Sequence, residues 1–214
     1  MPDAFINYLA RLGWSHGDQE FFTRKELIEK FSLENIGKSA GIFDPEKLLA
    51  LNADHIMALD PAQLVDPLAP FLLKHGFGIE NRSFVEKVIQ TLQPRSKTLA
   101  DMAGAALFYF QDDIEYEDKA ARKFLKPSAL EPLQQLQAEM ESIDAFTEKN
   151  LEQAFKNVMS ATGLKLGKIA QPVRVALTGR TASPGIFEVT EIVGKEKVMS
   201  RLEKAIEYVE SKKL

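Results

Sequence analysis

The chain has 214 residues, 45% of them hydrophobic, and a formal charge of −4, which fits one large or two modest globular domains. No run approaches 18 uninterrupted apolar residues, which excludes a membrane-spanning helix, and the amphipathic start "MPDAFINYLARLGW", with an acid at position 3, is not a secretory signal. The absence of cysteine excludes disulfides and thiolate metal sites and fits a reducing cytoplasm. The acidic balance argues against indiscriminate coating of nucleic acid, but not against a local basic face.

In chain order, "DAFINYLARLG" places Phe5, Ile6, Leu9 and Leu12 at helical spacing before a stop at Gly13. Thr23 followed by Glu26 predicts a capping box ahead of Leu27, Ile28 and Phe31, since each side chain can satisfy an orphan amide of the first turn. Asp44-Pro45 and Asp60-Pro61 each read as an N-cap with proline at the first helical position, where its missing N–H costs nothing. Pro67 and Pro70 fall inside the helix that Asp60 opens and predict a kink or a split. "LKHGFGIEN" and "LQPRSK" interrupt the first half, the second being a candidate boundary between two bundles. Further helices are predicted over 82–93, 98–110, 117–125, 128–141, 147–161, 167–177 and 195–210, with Ser128 and Glu131 as another capping box.

"VRVAL" has β-branched residues, but Gln171-Pro172 before it and Thr178-Gly179 after it suit a short helix with a glycine stop. In the closing helix Val198, Leu202, Ile206 and Val209 face the core while the charges stay solvated, with no role in recognition. The chain reads as all-α, two consecutive helical bundles without a repeat period.

Catalytic signals are missing. His16, His55 and His75 lie far apart, with no HxxxH partner or carboxylate at ligand spacing, and read as surface or helix-end residues. There is no Gly-rich phosphate loop after a strand and no serine on a nucleophile elbow. "FQDDIEYED" lacks the ligand spacing and central glycine of a calcium loop and reads as a solvated acidic loop. No catalytic residue and no metal ligand is expected.

Charge is unevenly distributed. Residues 101–153 hold twelve acids and five bases, whereas residues 154–204 hold nine bases and four acids. The 35 residues 153–187 carry Lys156, Lys165, Lys168, Arg174 and Arg180 and no acid. Within them "TGRTASPG" forms a turn exposing backbone and small polar groups. Arg174, projecting from the first part of a helix, could donate two hydrogen bonds to a base edge or a phosphate. Ile186 and Phe187 could offer an apolar surface to an unstacked base. The same residues fit a plainer reading, with Phe187 in the core and the acid gap a matter of composition.

The stretch "NYLARLGWSHGDQEFFTRKELIEKFSLENIGKSAGIFDPEKLLALNADHI" resembles the segment that follows the catalytic domain of bacterial glutamyl-tRNA synthetases. "GLKLGKIAQPVRVALTGRTASPGIFEVTEIVGKEKVMSRLEKAI" resembles their C-terminal anticodon-binding region. Together the likeness runs from about residue 2 to residue 208. Members of this family begin with a catalytic domain carrying a HIGH-like and a KMSKS-like signature. Neither is present, since His16-Gly17 is followed by Asp18-Gln19 and no lysine-serine-lysine loop exists. The chain therefore reads as a fragment, or a separately expressed C-terminal portion, of a glutamate–tRNA ligase. No cofactor is expected in it, ATP and magnesium belonging to the full-length class I enzyme.

The resemblance implies two helical anticodon-binding domains, with residues 1–59 ending a stem-contact domain, 60–108 forming the first anticodon-binding domain and 109–214 the second. It implies that tRNA(Glu) is the partner, with no DNA and no membrane, in a cytoplasmic enzyme that is monomeric at full length. Arg95 would meet the last anticodon base and discriminate against tRNA(Gln), a cytosine there offering an acceptor carbonyl that guanine replaces with a different edge. The other two bases would fall to Leu166, Gln171, Arg174, Ser183, Pro184 and Phe187, and Lys165, Lys168 and Arg180 would serve phosphates. Ser183 stands where some relatives carry threonine, which keeps the hydroxyl. Arg95 also fits a capping or ion-pairing role at a helix junction. A helical protein–protein docking domain of a synthetase complex is the alternative, and it predicts an exposed apolar patch on the second bundle.

Overall fold

A computed structural model describes residues 1–37 and 41–212. It is all-α and divides into two compact units, Met1–Ala106 and Leu107–Leu214. The first holds α1 (Pro2–Arg11), α2 (Arg24–Lys30), α3 (Pro45–Met57), α4 (Pro61–Leu73) and α5 (Arg82–Leu92). The division falls inside α6 (Leu99–Phe110). The second holds α7 (Asp118–Phe124), α8 (Leu130–Glu141), α9 (Glu148–Thr162), α10 (Leu166–Thr178), α11 (Ile186–Val193) and α12 (Lys195–Ser211). Among the described residues an isolated antiparallel bridge joins Trp14 to Ile36, and no helix is long and apolar enough to cross a membrane.

The helix starts follow local chemistry. Thr23 Oγ1 accepts from the Glu26 amide at 3.2 Å while Glu26 Oε2 accepts from the Thr23 amide at 2.8 Å. Asp44 accepts from the Glu46 and Lys47 amides at 2.9 and 3.1 Å. Asp60 accepts from the Ala62 amide at 2.9 Å, and Gln63 returns the bond to the Asp60 amide at 3.0 Å. The predicted box at Ser128 does not form, because residues Pro127–Ala129 wind into a 3-10 turn and α8 starts at Leu130 without a side-chain cap. Pro67 and Pro70 do not split α4. Leu64, Val65, Leu68 and Leu72 on that helix are fully buried, and their packing outweighs the bonds two prolines remove.

Two features of the first unit, the buried face of α1 and the setting of His55, share one organising residue. The face of α1 that is buried is Ala4, Asn7 and Tyr8, leaving Phe5, Ile6 and Leu9 exposed. Asn7 organises this arrangement. Its Nδ2 donates to the Glu20 carbonyl at 3.1 Å, and its Oδ1 accepts from the Phe22 amide at 2.8 Å and lies 3.1 Å from His55 Nε2. His55 is thus a helix-end residue, in the last turn of α3, but a buried one, its ring 4.6 Å from that of Phe21, and burial pulls its pKa below the ordinary value.

In the second unit Val198, Leu202, Ile206 and Val209 are buried as their spacing predicts. Arg201, on the same face, is buried with them, so the charges of α12 are not all solvated. A helix not predicted, α11, follows the Ser-Pro-Gly turn.

Candidate nucleic-acid interface

The acid-free window folds as α10, a turn, and the start of α11. Gly179 stops α10 in the left-handed region at φ 73°. A side chain there would be strained, and its Cβ would collide with the Glu115 carbonyl oxygen. Thr178 Oγ1 donates to the Arg174 carbonyl at 2.8 Å and accepts from the Arg180 amide at 3.2 Å, tying the last helical turn to the loop.

Arg174 lies in the second half of α10 rather than its first part, because the helix begins at Leu166 and accommodates Pro172. Half-buried, it reaches across the loop: Nη1 donates to the Ser183 carbonyl at 3.3 Å, the Pro184 carbonyl at 2.7 Å and the Ser183 hydroxyl. The arginine therefore shapes the turn that carries Ser183 and Pro184. Gln171, one helical turn earlier, is half-buried, and its Oε1 is sealed from solvent without a hydrogen-bond partner. Phe187 is the second residue of α11, with its ring 5.1 Å from the fully buried Phe155 in an edge contact. It is half-buried, whereas Ile186 belongs to the core and is not an exposed platform. Leu166 is exposed at the first position of α10, between exposed Lys165 and Lys168.

Internal ion pairs account for part of the charge asymmetry. Arg180 pairs with Glu117 at 3.4 Å, Lys197 with Asp112 at 2.9 Å, and Lys204 with Asp113. The Lys197 ammonium holds the Asp112 carboxyl below the usual range. Residues 111–117 are thus docked onto their own unit, and Arg180 faces a carboxylate as well as solvent. Lys165 and Lys168 make no ion pair among the described residues.

Sequence reasoning missed Arg201. Its Nη1 donates to the Leu177 carbonyl at 2.6 Å, and Nη2 to those of Phe108 and Gln111 at 2.8 and 2.7 Å. It thereby satisfies carbonyls at the C-terminal ends of α10 and α6. Burial lowers its pKa to about 10, so it stays charged at neutral pH. Its spacing, three residues after Val198 and four before Ala205, placed it in the apolar stripe and was the available signal.

Arg95, in the first unit, ends the 3-10 turn Gln93–Arg95 and is exposed. Its backbone is clamped from both sides. Buried Gln93 donates through Nε2 to the carbonyls of Ile56 and Leu59 at 2.7 and 2.8 Å, and buried Ser96 donates to that of Leu92 at 2.8 Å. Asn52 donates to the Lys97 carbonyl at 2.6 Å.

This fold occurs in known proteins. A family model described as anticodon binding domain matches residues 63–206, and one described as the class I (E and Q) tRNA synthetase catalytic domain matches residues 1–50. The chain belongs to the anticodon binding domain family. It is 56% identical over 209 residues to the glutamate–tRNA ligase of Desulfosudis oleivorans and 52% identical over 210 residues to that of Syntrophobacter fumaroxidans. Each alignment covers 98% of this chain and 45% of the relative, so the chain spans less than half the length of these ligases. The crystal structure of a glutamate tRNA ligase from Elizabethkingia meningosepticum matches 97% of this chain and 41% of its own, with a TM-score of 0.88 at 27% identity.

Proposed function

We propose that the chain recognises the anticodon of tRNA(Glu) as the C-terminal portion of a glutamate–tRNA ligase. The full-length enzyme would attach glutamate to tRNA with ATP and magnesium, as a monomer in the cytoplasm. The observation that carries this reading is the Arg174-gripped turn inside the segment matched by the anticodon binding family. RNA sequence is read best from single-stranded loops, whose splayed bases can stack and hydrogen-bond along their edges. Gln171, Arg174, Ser183 and Phe187 would supply those contacts around two bases, with Leu166 and Pro184 as apolar support. Arg95 would read the third base, and Lys165, Lys168 and Arg180 would meet phosphates, Arg180 by exchanging Glu117 for the RNA.

The docking-domain alternative expects a large apolar patch on the second unit. Among the described residues, Leu166 is the exposed large apolar side chain there, the others lying in the first unit. The test is binding of the chain to an anticodon stem-loop of glutamate tRNA and to the same hairpin with its triplet replaced. Tighter binding of the first is expected, and equal binding would refute the reading.

A further inference from the structure

A second basic feature lies beside the first along α10. A cleft of about 380 Å³ is lined by Lys123, Lys126 and Lys168, with Ser128, Phe124 and Pro172 among its other walls. No carboxylate lines it. Among the described residues none of the three lysines makes an ion pair, in contrast to Arg180, Lys197 and Lys204 of the same unit. All three are exposed, while Leu125, Ala129, Ile169 and Pro172 beside them are buried. The cations therefore stand on a packed floor, and Lys123 Nζ lies 5.2 Å over the Phe124 ring.

Three like charges around one concave space repel one another unless an anion joins them. Helical spacing puts Lys168 and Pro172 on one stripe of α10 and Gly167, Gln171 and Arg174 on the adjacent one. A ligand held on the second stripe would run directly past the first. We infer that the cleft binds backbone phosphodiester of RNA next to the base-reading turn, with the lysines neutralising charge and the Ser128 hydroxyl donating to a phosphate oxygen. This rests on the proposed RNA-binding function and adds Lys123, Lys126 and Ser128 to it. The contacts carry affinity and salt dependence but no sequence preference.

The test uses the 214-residue chain and its Lys123→Ala/Lys126→Ala variant, with the glutamate anticodon hairpin, its triplet-replaced version and an oligouridylate as probes. Both substituted positions are exposed, and a matching circular dichroism melt verifies the fold. The variant is expected to bind both hairpins about tenfold more weakly at low salt. Its plot of log affinity against log salt should flatten by roughly 0.7–0.9 per lost contact, with the ratio between hairpins unchanged. In the unsubstituted chain, bound RNA should protect Lys123, Lys126 and Lys168 from acetylation, read by mass spectrometry. RNA binding with an unchanged slope and unprotected lysines overturns the cleft and leaves the anticodon reading standing. Equal binding of the hairpins, with the slope still set by Lys123 and Lys126, overturns the anticodon reading and leaves the cleft standing. No binding to any of the three RNAs overturns both.

Discussion

Arg95 is presented on a turn whose neighbours do the anchoring. Gln93 and Ser96 are buried and bonded to carbonyls, so the backbone between them is fixed while Arg95 itself is exposed. Such a mounting suits discrimination, because a fixed arginine donor favours one base edge by about 1–3 kcal/mol. Arg95→Gln is therefore expected to bring the binding ratio between glutamate and glutamine tRNAs toward one in a competition assay. If the ratio stays where it was, Arg95 is not the discriminating residue. Arg174 differs in kind, since its Nη1 organises the very turn that carries Ser183 and Pro184. That it shares a window with this turn was legible in the sequence, from the acid gap and the glycine and proline punctuation. That its side chain returns nine residues onto Ser183 was not, because the reach depends on how α10 and the loop fold back.

Element boundaries were the most legible feature. Thr23, Asp44, Asp60 and Gly179 act on backbone groups within four residues, so their effects survive whatever the rest of the chain does. The exceptions are Ser128, where a 3-10 turn takes the place of the cap, and the two prolines of α4, where packing of the buried face outweighed a local preference. The capping box of α2 also carries a pH signature. The Thr23 amide, then its hydroxyl, hold the Glu26 pKa down from 4.5 to about 2. A carboxylate depressed in the folded state contributes stability that is present above 4.5 and is lost as pH falls toward about 2. Urea midpoints of the unsubstituted chain and Glu26→Gln are thus expected to differ at pH 5 and to converge near pH 2, over and above the acid sensitivity of other carboxylates. A difference independent of pH would show that Glu26 acts only by its shape.

At the scale of the molecule, two separately packed units give each probe its own domain of report. Trp14, the single tryptophan, is buried in the first unit, whereas Arg201 closes helix ends in the second. Arg201→Met would leave the Leu177, Phe108 and Gln111 carbonyls without this donor, a loss of about 3 kcal/mol or more. The urea transition followed by circular dichroism should then begin at lower urea, with Trp14 fluorescence lagging behind it. Coincident transitions would mean that α6, which runs through the division, couples the units into one cooperative block. The sequence by itself determined the all-α class, most helix ends, the family and the window holding the Ser-Pro-Gly turn, because capping, periodicity and charge are local properties. Only the tertiary structure decided which face of α1 is buried, that Arg201 is internal, that Arg180 meets Glu117, and that Lys123 and Lys126 join Lys168 around one cleft. Those outcomes depend on contacts between residues distant along the chain, whose partners are chosen by packing and desolvation rather than by spacing.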